Sequence, residues 1–334
     1  MESSILFVAM IAATNLGQTI GRNEIQQQAA VFQEWCEKDF VWRFKELPTS
    51  GSVPTNQVPY SGYIYQDKFG GTAEVLRKYD RAFNRGLRSA VAWEQRDSAA
   101  NKEVPKGFFG FLAGPQTPDW YGHCNGWTAA SIRHAEPQRS VKAGGVVFSP
   151  ADLKALLAEI YVYNDDQVLA GLNSDLNAGT FHAILSNWLG RSSHAIAMDS
   201  DPTKEKWNYP IYGYSSSFAY HSPYAVEVNT NIKFAKDSEE REYNKSPTYN
   251  QVNLFHYLLR LNHRGEIIGG HFYRDSTKID FLWVPLSPKR AGEDGNEKGN
   301  PFVEVDKVLA LWRKSVPQDV RDQWFCIDQS NGQG

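Results

Sequence analysis

The chain changes texture near Arg191. Before that point apolar residues recur at spacings of three and four; after it they alternate with polar ones. The first pattern predicts helices and the second predicts half-buried strands. Helices are expected over 26–40, from a Thr72 cap to about Trp93, from Cys124 to before Pro137, over 153–161 behind Ser149-Pro150-Ala151-Asp152, and over 179–189. Strands are expected over 194–199, 207–214, 224–234, 253–261, 267–273 and 281–285, with a hairpin at 261–265. The polar stretches 48–65, 236–249 and 289–301 and the Gly- and Phe-rich run 106–118 read as loops, and a last helix covers 303–312. Helices followed by a strand meander point to an α+β fold.

Composition narrows the function classes. The 334 residues are 41% hydrophobic and 22% charged, the balance of a globular chain rather than a disordered or polytopic membrane one. With 35 basic against 38 acidic residues no broad basic surface for nucleic acid is implied. The longest apolar run near the start, Ile5–Ala13, is too short to span a bilayer but has the length of a signal-peptide core. Residues 1–20 are therefore expected to be a signal peptide and the chain to be secreted, although Glu2 and the lack of Lys or Arg before the run fit a cytoplasmic chain as well.

The three cysteines, Cys36, Cys124 and Cys326, form no C-x-x-C pair, which argues against a thiolate metal site. In an oxidising compartment Cys36 and Cys326 can pair and leave Cys124 as the free thiol; in a reducing one all three stay thiols. Cys124 has the more suggestive setting. It lies in Trp120-Tyr121-Gly122-His123-Cys124-Asn125-Gly126-Trp127, a glycine-containing turn that opens a helix of small residues. The positive end of a helix lowers a thiol's pKa, and a thiolate is the nucleophile.

A nucleophilic Cys needs a base. His194 heads the first expected strand, the arrangement of cysteine acyl-transfer sites, whereas His123, His134, His182, His221, His256, His263 and His271 sit on helices, turns or later strands. Asn208, on the returning strand, is the expected partner that orients the His194 ring. Asp199 is the reserve, because five residues along one strand place it about 16 Å from His194 on the other face.

These residues resemble the transglutaminase elicitor family. The likeness rests on Gly122-His123-Cys124-Asn125-Gly126-Trp127, on Glu136-Pro137, and on Trp207-Asn208-Tyr209-Pro210-Ile211-Tyr212-Gly213-Tyr214, which is similar to the family's plant-recognised surface peptide. It rests too on the hairpin 258–270 with Asp280-Phe281-Leu282-Trp283. Departures are Tyr209 where the family has Gln, His271-Phe272 for Glu-Trp, and Lys278-Ile279 for His-Pro.

The resemblance implies a papain-like (transglutaminase-like) core, with the Cys at a helix N-terminus packed on an antiparallel sheet or barrel. An N-terminal helical region (21–105) would pack on a catalytic region (106–334), helical to about 190, strand-rich over 191–288 and closed by a helix at 303–313. The implied activity is protein-glutamine γ-glutamyltransfer through a Cys124 thioester, with protein or peptide glutamines as donors and lysines or other amines as acceptors. His194 would first stabilise the thiolate as an ion pair. The Cys124 N–H and Trp120, or Gln116, would serve as oxyanion donors. Neither nucleic acid nor an integral membrane position is expected. No cofactor is identified; calcium accompanies transglutaminases broadly, but no D-x-D-x-D-G loop is present. A cysteine peptidase or amidase, and a non-catalytic secreted elicitor or binding protein, are the alternatives.

Overall fold

The computed structural model describes residues 18–104, 114–172, 175–238, 240–247 and 249–324. Residues 1–17 of the expected signal peptide, residues 105–113 of the Gly- and Phe-rich loop, and Cys326 with its pairing to Cys36 lie outside them; among the described residues Cys36 and Cys124 form no disulfide.

The helices are α1 (Arg22–Cys36), α2 (Ala73–Phe83), α3 (Ser89–Ala100), α4 (Cys124–Arg133), α5 (Pro150–Tyr161), α6 (Ala178–Leu185), α7 (Val305–Ser315) and α8 (Gln318–Arg321). A six-residue π turn, Ser186–Arg191, follows α6. Two short strands, β1 (Gln18–Thr19) and β2 (Ser50–Ser52), flank α1, while β3 (Val141–Ala143) and β4 (Val146–Phe148) make a separate hairpin. The main run is β5 (Asp166–Ala170), β6 (Ile196–Asp199), β7 (Asn208–Ser222), β8 (Ala225–Ala235), β9 (Asn250–Leu261), β10 (Ile267–Phe272) and β11 (Phe281–Pro285). Together with β1 and β2 they form a nine-stranded sheet in the order β1-β10-β9-β8-β7-β6-β11-β5, with β2 beside β7. The mixed helix and antiparallel-sheet architecture expected from the change of period is thus present.

The residues 21–105 are not purely helical, because β2 pairs with β7 and the preceding β1 pairs with β10. The helix expected from Thr72 to Trp93 is two helices. Arg85 (φ 54°) and Gly86 (φ 76°) turn the chain between them, a conformation that ends a helix. The buried Asp80 carboxylate then accepts from the backbone N–H groups of Ala90 (3.0 Å) and Val91 (3.1 Å), satisfying two first-turn donors of α3.

The core lies between α4, α5 and α6 and the sheet. Trp127, Trp188, Trp283 and Trp312 are fully buried there, each worth roughly 2–3 kcal/mol of apolar burial. Gly126 sets how closely α4 meets α5, since a Cβ there would sit 2.2 Å from Ala158 O. Thr128 Oγ1 donates to Asn208 O (2.9 Å), which pins α4 to the first residue of β7. This crossing puts the N-terminus of α4 over the edge where β6 ends and β7 begins.

Candidate active site

Cys124 is the first residue of α4, as expected, and is 5% exposed. Its sulfur has two partners among the described residues: Sγ–H points at Lys206 O (3.5 Å), and Asn208 Nδ2 points at Sγ (3.8 Å). The Cys124 pKa is raised. Burial is the main cause, Asp199 adds to it, and donors from Asn208 and Asn125 oppose it. The resting group is a neutral thiol, because desolvation outweighs the helix end. Among the described residues the partners of Sγ are Lys206 and Asn208, and no imidazole is one of them.

Asn208 is held at both ends. Its Oδ1 accepts the Trp283 indole N–H at 2.9 Å, which leaves Nδ2 facing the sulfur. Asp199 stands opposite Asn208 in the β6–β7 register, and Phe281 stands opposite Asp199 on the other side. Asp199 is fully buried; its Oδ1 accepts from the backbone of Trp207 (3.0 Å) and Asp201 (3.2 Å). Its Oδ2 lies 3.2 Å from Lys206 Nζ, whose tighter partner is Asp280. Burial pushes the Asp199 carboxyl above its usual range, while those backbone donors and Lys206 pull it back. Burial weakens the Lys206 ammonium, but Asp280 and Asp199 together hold its pKa above the ordinary lysine value.

His194 is elsewhere. Its ring packs edge-on against Trp188 (5.2 Å) and Trp35 (5.7 Å), with Nδ1 against Ala195 O. The register that pairs Asp199 with Asn208 places the tail of β6 at Cys124, and His194 lies two residues before the head of that strand, at its other end. Burial lowers the His194 pKa to about 4, which makes it a neutral core residue. The expected base is therefore not brought to the thiol, and Asn208 reaches Cys124 and Trp283 rather than an imidazole. Asp199, the reserve, is the one that shares the Cys124 end of the strands. Of the expected oxyanion donors, Gln116 is exposed with its backbone paired to Glu103, and Trp120 stacks on Tyr121 at 4.0 Å. Sequence reasoning missed Trp283 and Lys206; the Phe281-Leu282-Trp283 match was the signal for the first.

The segment similar to the plant-recognised peptide is built into β7. Asn208 and Pro210 to Tyr214 are buried, and β6, β8 and β2 cover its edges.

A family model described as "Transglutaminase elicitor" matches residues 96–173 and 167–222. The resemblance to the transglutaminase elicitor family holds. The matched span carries Cys124, Asp199 and Asn208, the residues gathered at the α4 terminus. The fold agrees with that of the GP42 transglutaminase from Phytophthora sojae, a solved structure with TM-score 0.68 and 22% identity over 89% of this chain and 99% of that one. No curated protein matches the chain. No helix of the described residues is long and apolar enough to cross a membrane.

Calcium is the ion that the sequence reading left open. Calcium takes six to eight oxygen ligands. The cluster of three titratable donors that the described residues form, Glu94, His123 and Glu159, includes an imidazole and does not fit that ion.

Proposed function

We propose that the chain is a cysteine acyltransferase of the transglutaminase type, with glutamine side chains as donors and primary amines as acceptors. The observation that carries this reading is the pairing of Cys124 Sγ, at the start of α4, with Asn208 Nδ2 at 3.8 Å. A donor locked beside the nucleophile suits the oxyanion that forms when sulfur adds to a carboxamide.

In this reading Asn208 Nδ2 and the Cys124 N–H are the oxyanion donors. Asp199 takes the thiol proton, because its raised carboxyl pKa brings it closer to that of a useful base. Sulfur adds to the γ-carbonyl carbon, the C–N bond breaks, and ammonia leaves with the proton Asp199 held. The thioester is then attacked by an amine, whose proton passes to Asp199 and back to the departing sulfur. The product is an isopeptide bond and the thiol is restored; water in place of the amine gives deamidation. Lys206 positions Asp199.

Incorporation of a fluorescent primary amine into casein, run beside casein cleavage, tests the proposal. Incorporation without cleavage that disappears in Cys124→Ala supports it. Cleavage alone indicates a peptidase, and neither activity in a folded protein leaves a binding or elicitor role.

A further inference from the structure

Directly beside the nucleophile lies a buried cluster that the acyl-transfer reading does not use. His123 precedes Cys124, Glu94 comes from α3 and Glu159 from α5, and all three are 3% exposed or less. His123 Nε2 lies 3.3 Å from Glu159 Oε2 and 3.7 Å from Glu94 Oε1, and the three donor atoms fall within 4.8 Å of one another. We propose that Glu94, His123 and Glu159 form a binding site for a first-row divalent transition-metal ion of the zinc or manganese class.

Three observations support this. First, the spacing fits: metal–ligand bonds of about 2.1 Å in a tetrahedron put neighbouring donors about 3.4 Å apart. Second, His123 Nε2 and Glu94 Oε2 are buried without a hydrogen bond, although a carboxylate is close to Nε2. Buried polar atoms that converge with hydrogen-bonding capacity left over suit a shared ligand between them. Third, each group is already oriented by the protein. His123 Nδ1 faces Tyr65 O (3.3 Å), the usual outer contact of a metal-bound imidazole, which leaves Nε2 as the lone-pair donor. Glu94 Oε1 accepts from Thr72 N (2.9 Å), which leaves Oε2 without a partner; Glu159 accepts from Asn300 Nδ2 (3.0 Å) at Oε1 and from Thr72 Oγ1 at Oε2. Gly71 (φ +54°) makes room, since a Cβ there would lie 1.8 Å from Glu94 Oε1. The mixed N/O donor set favours zinc, manganese or cobalt over calcium. The site ties α3 and α5 to the turn that presents Cys124. It stands whether or not Cys124 performs acyl transfer.

The experiment uses the full chain. Metal content is measured as purified; the chelator-stripped protein is titrated with Co²⁺ and followed by visible absorption, and with Zn²⁺ and Mn²⁺ followed by melting temperature. One equivalent bound, a visible Co²⁺ band, and a melting temperature that rises with metal are expected. Glu94→Gln and Glu159→Gln, which keep shape, should weaken affinity at least tenfold. A second imidazole–carboxylate cluster lies on the surface, where His256 Nε2 meets Glu227 (2.8 Å) and Nδ1 meets Asp275 (3.0 Å). Binding that survives Glu94→Gln but vanishes in His256→Gln would place the metal there and overturn the proposal. So would a native protein that neither binds Co²⁺ nor melts higher with any of the three ions.

Discussion

Trp283 donates its indole N–H to Asn208 Oδ1 at 2.9 Å, and that bond decides which end of the amide faces Cys124. A flipped amide would set Nδ2 against another N–H and turn an acceptor toward the sulfur. One strand, β11, thereby fixes the polarity of the group that β7 offers to the nucleophile.

Trp283→Phe keeps the buried aromatic but removes the donor. The amide is then free to flip, and kcat for amine incorporation should fall about tenfold with KM little changed. Asn208→Ala, which removes the oxyanion donor itself, should cost about 100-fold or more. Equal kcat in Trp283→Phe and the parent would remove Trp283 from the site.

Alkylation rates test the state of the thiol. With Cys124 5% exposed and its pKa raised by burial, iodoacetamide should modify Cys124 in the substrate-free protein at neutral pH more slowly than the more exposed Cys36. Its rate should climb as pH passes the ordinary thiol range. Rapid labelling of Cys124 at neutral pH would mean that a thiolate is already formed.

Two buried histidines should make the fold acid-sensitive. His182 and His194 are each lowered to about 4 by burial, against about 6.5 when unfolded. As pH falls below 6.5 the unfolded chain takes up protons that the folded chain refuses. Stability therefore drops between pH 6.5 and 4, by on the order of 3 kcal/mol per histidine. His194→Phe, placed among Trp35 and Trp188, should flatten this slope in urea titrations read by tryptophan fluorescence. An unchanged slope would show that His194 is protonated in the fold.

Asp80 holds the break between α2 and α3. Asp80→Ala leaves the Ala90 and Val91 N–H groups buried without their acceptor and should cost about 2–3 kcal/mol. Chemical denaturation measures it; a loss under 0.5 kcal/mol would mean that water replaces the carboxylate.

The sequence made legible what depends on local pattern. Small residues after Cys124 and the glycine before it marked a helix start, and strict alternation located β8, β10 and β11 to within a residue or so. What escaped was set by contacts far apart in the chain. Whether the head or the tail of β6 meets Cys124 depends on which end of the β6–β7 pair α4 crosses, and no periodicity records that. His194 looked available because its indole neighbours, Trp35 and Trp188, come from α1 and the π turn. The α2–α3 break was hidden because Leu87, Ala90 and Val91 keep the helical rhythm across it, while the side chain that stabilises the break belongs to Asp80. The segment 207–214 was recognisable by motif, but its burial follows from β2, β6 and β8 closing around it.

That enclosure puts a single stretch of chain under two demands at once. In β7, Ile211, Gly213 and Tyr214 knit three neighbouring strands together, while Asn208, a few residues earlier, faces the thiol. A drift of one residue in register would carry Asn208 to the opposite face and disarm the site without unfolding it. A change at Gly213, where a Cβ would press on Ser52 at 3.3 Å, would lower the amount of protein that folds and leave each surviving molecule competent. Abundance and competence are thus encoded side by side, and a survey that scores only surviving function would merge them into one block of intolerance.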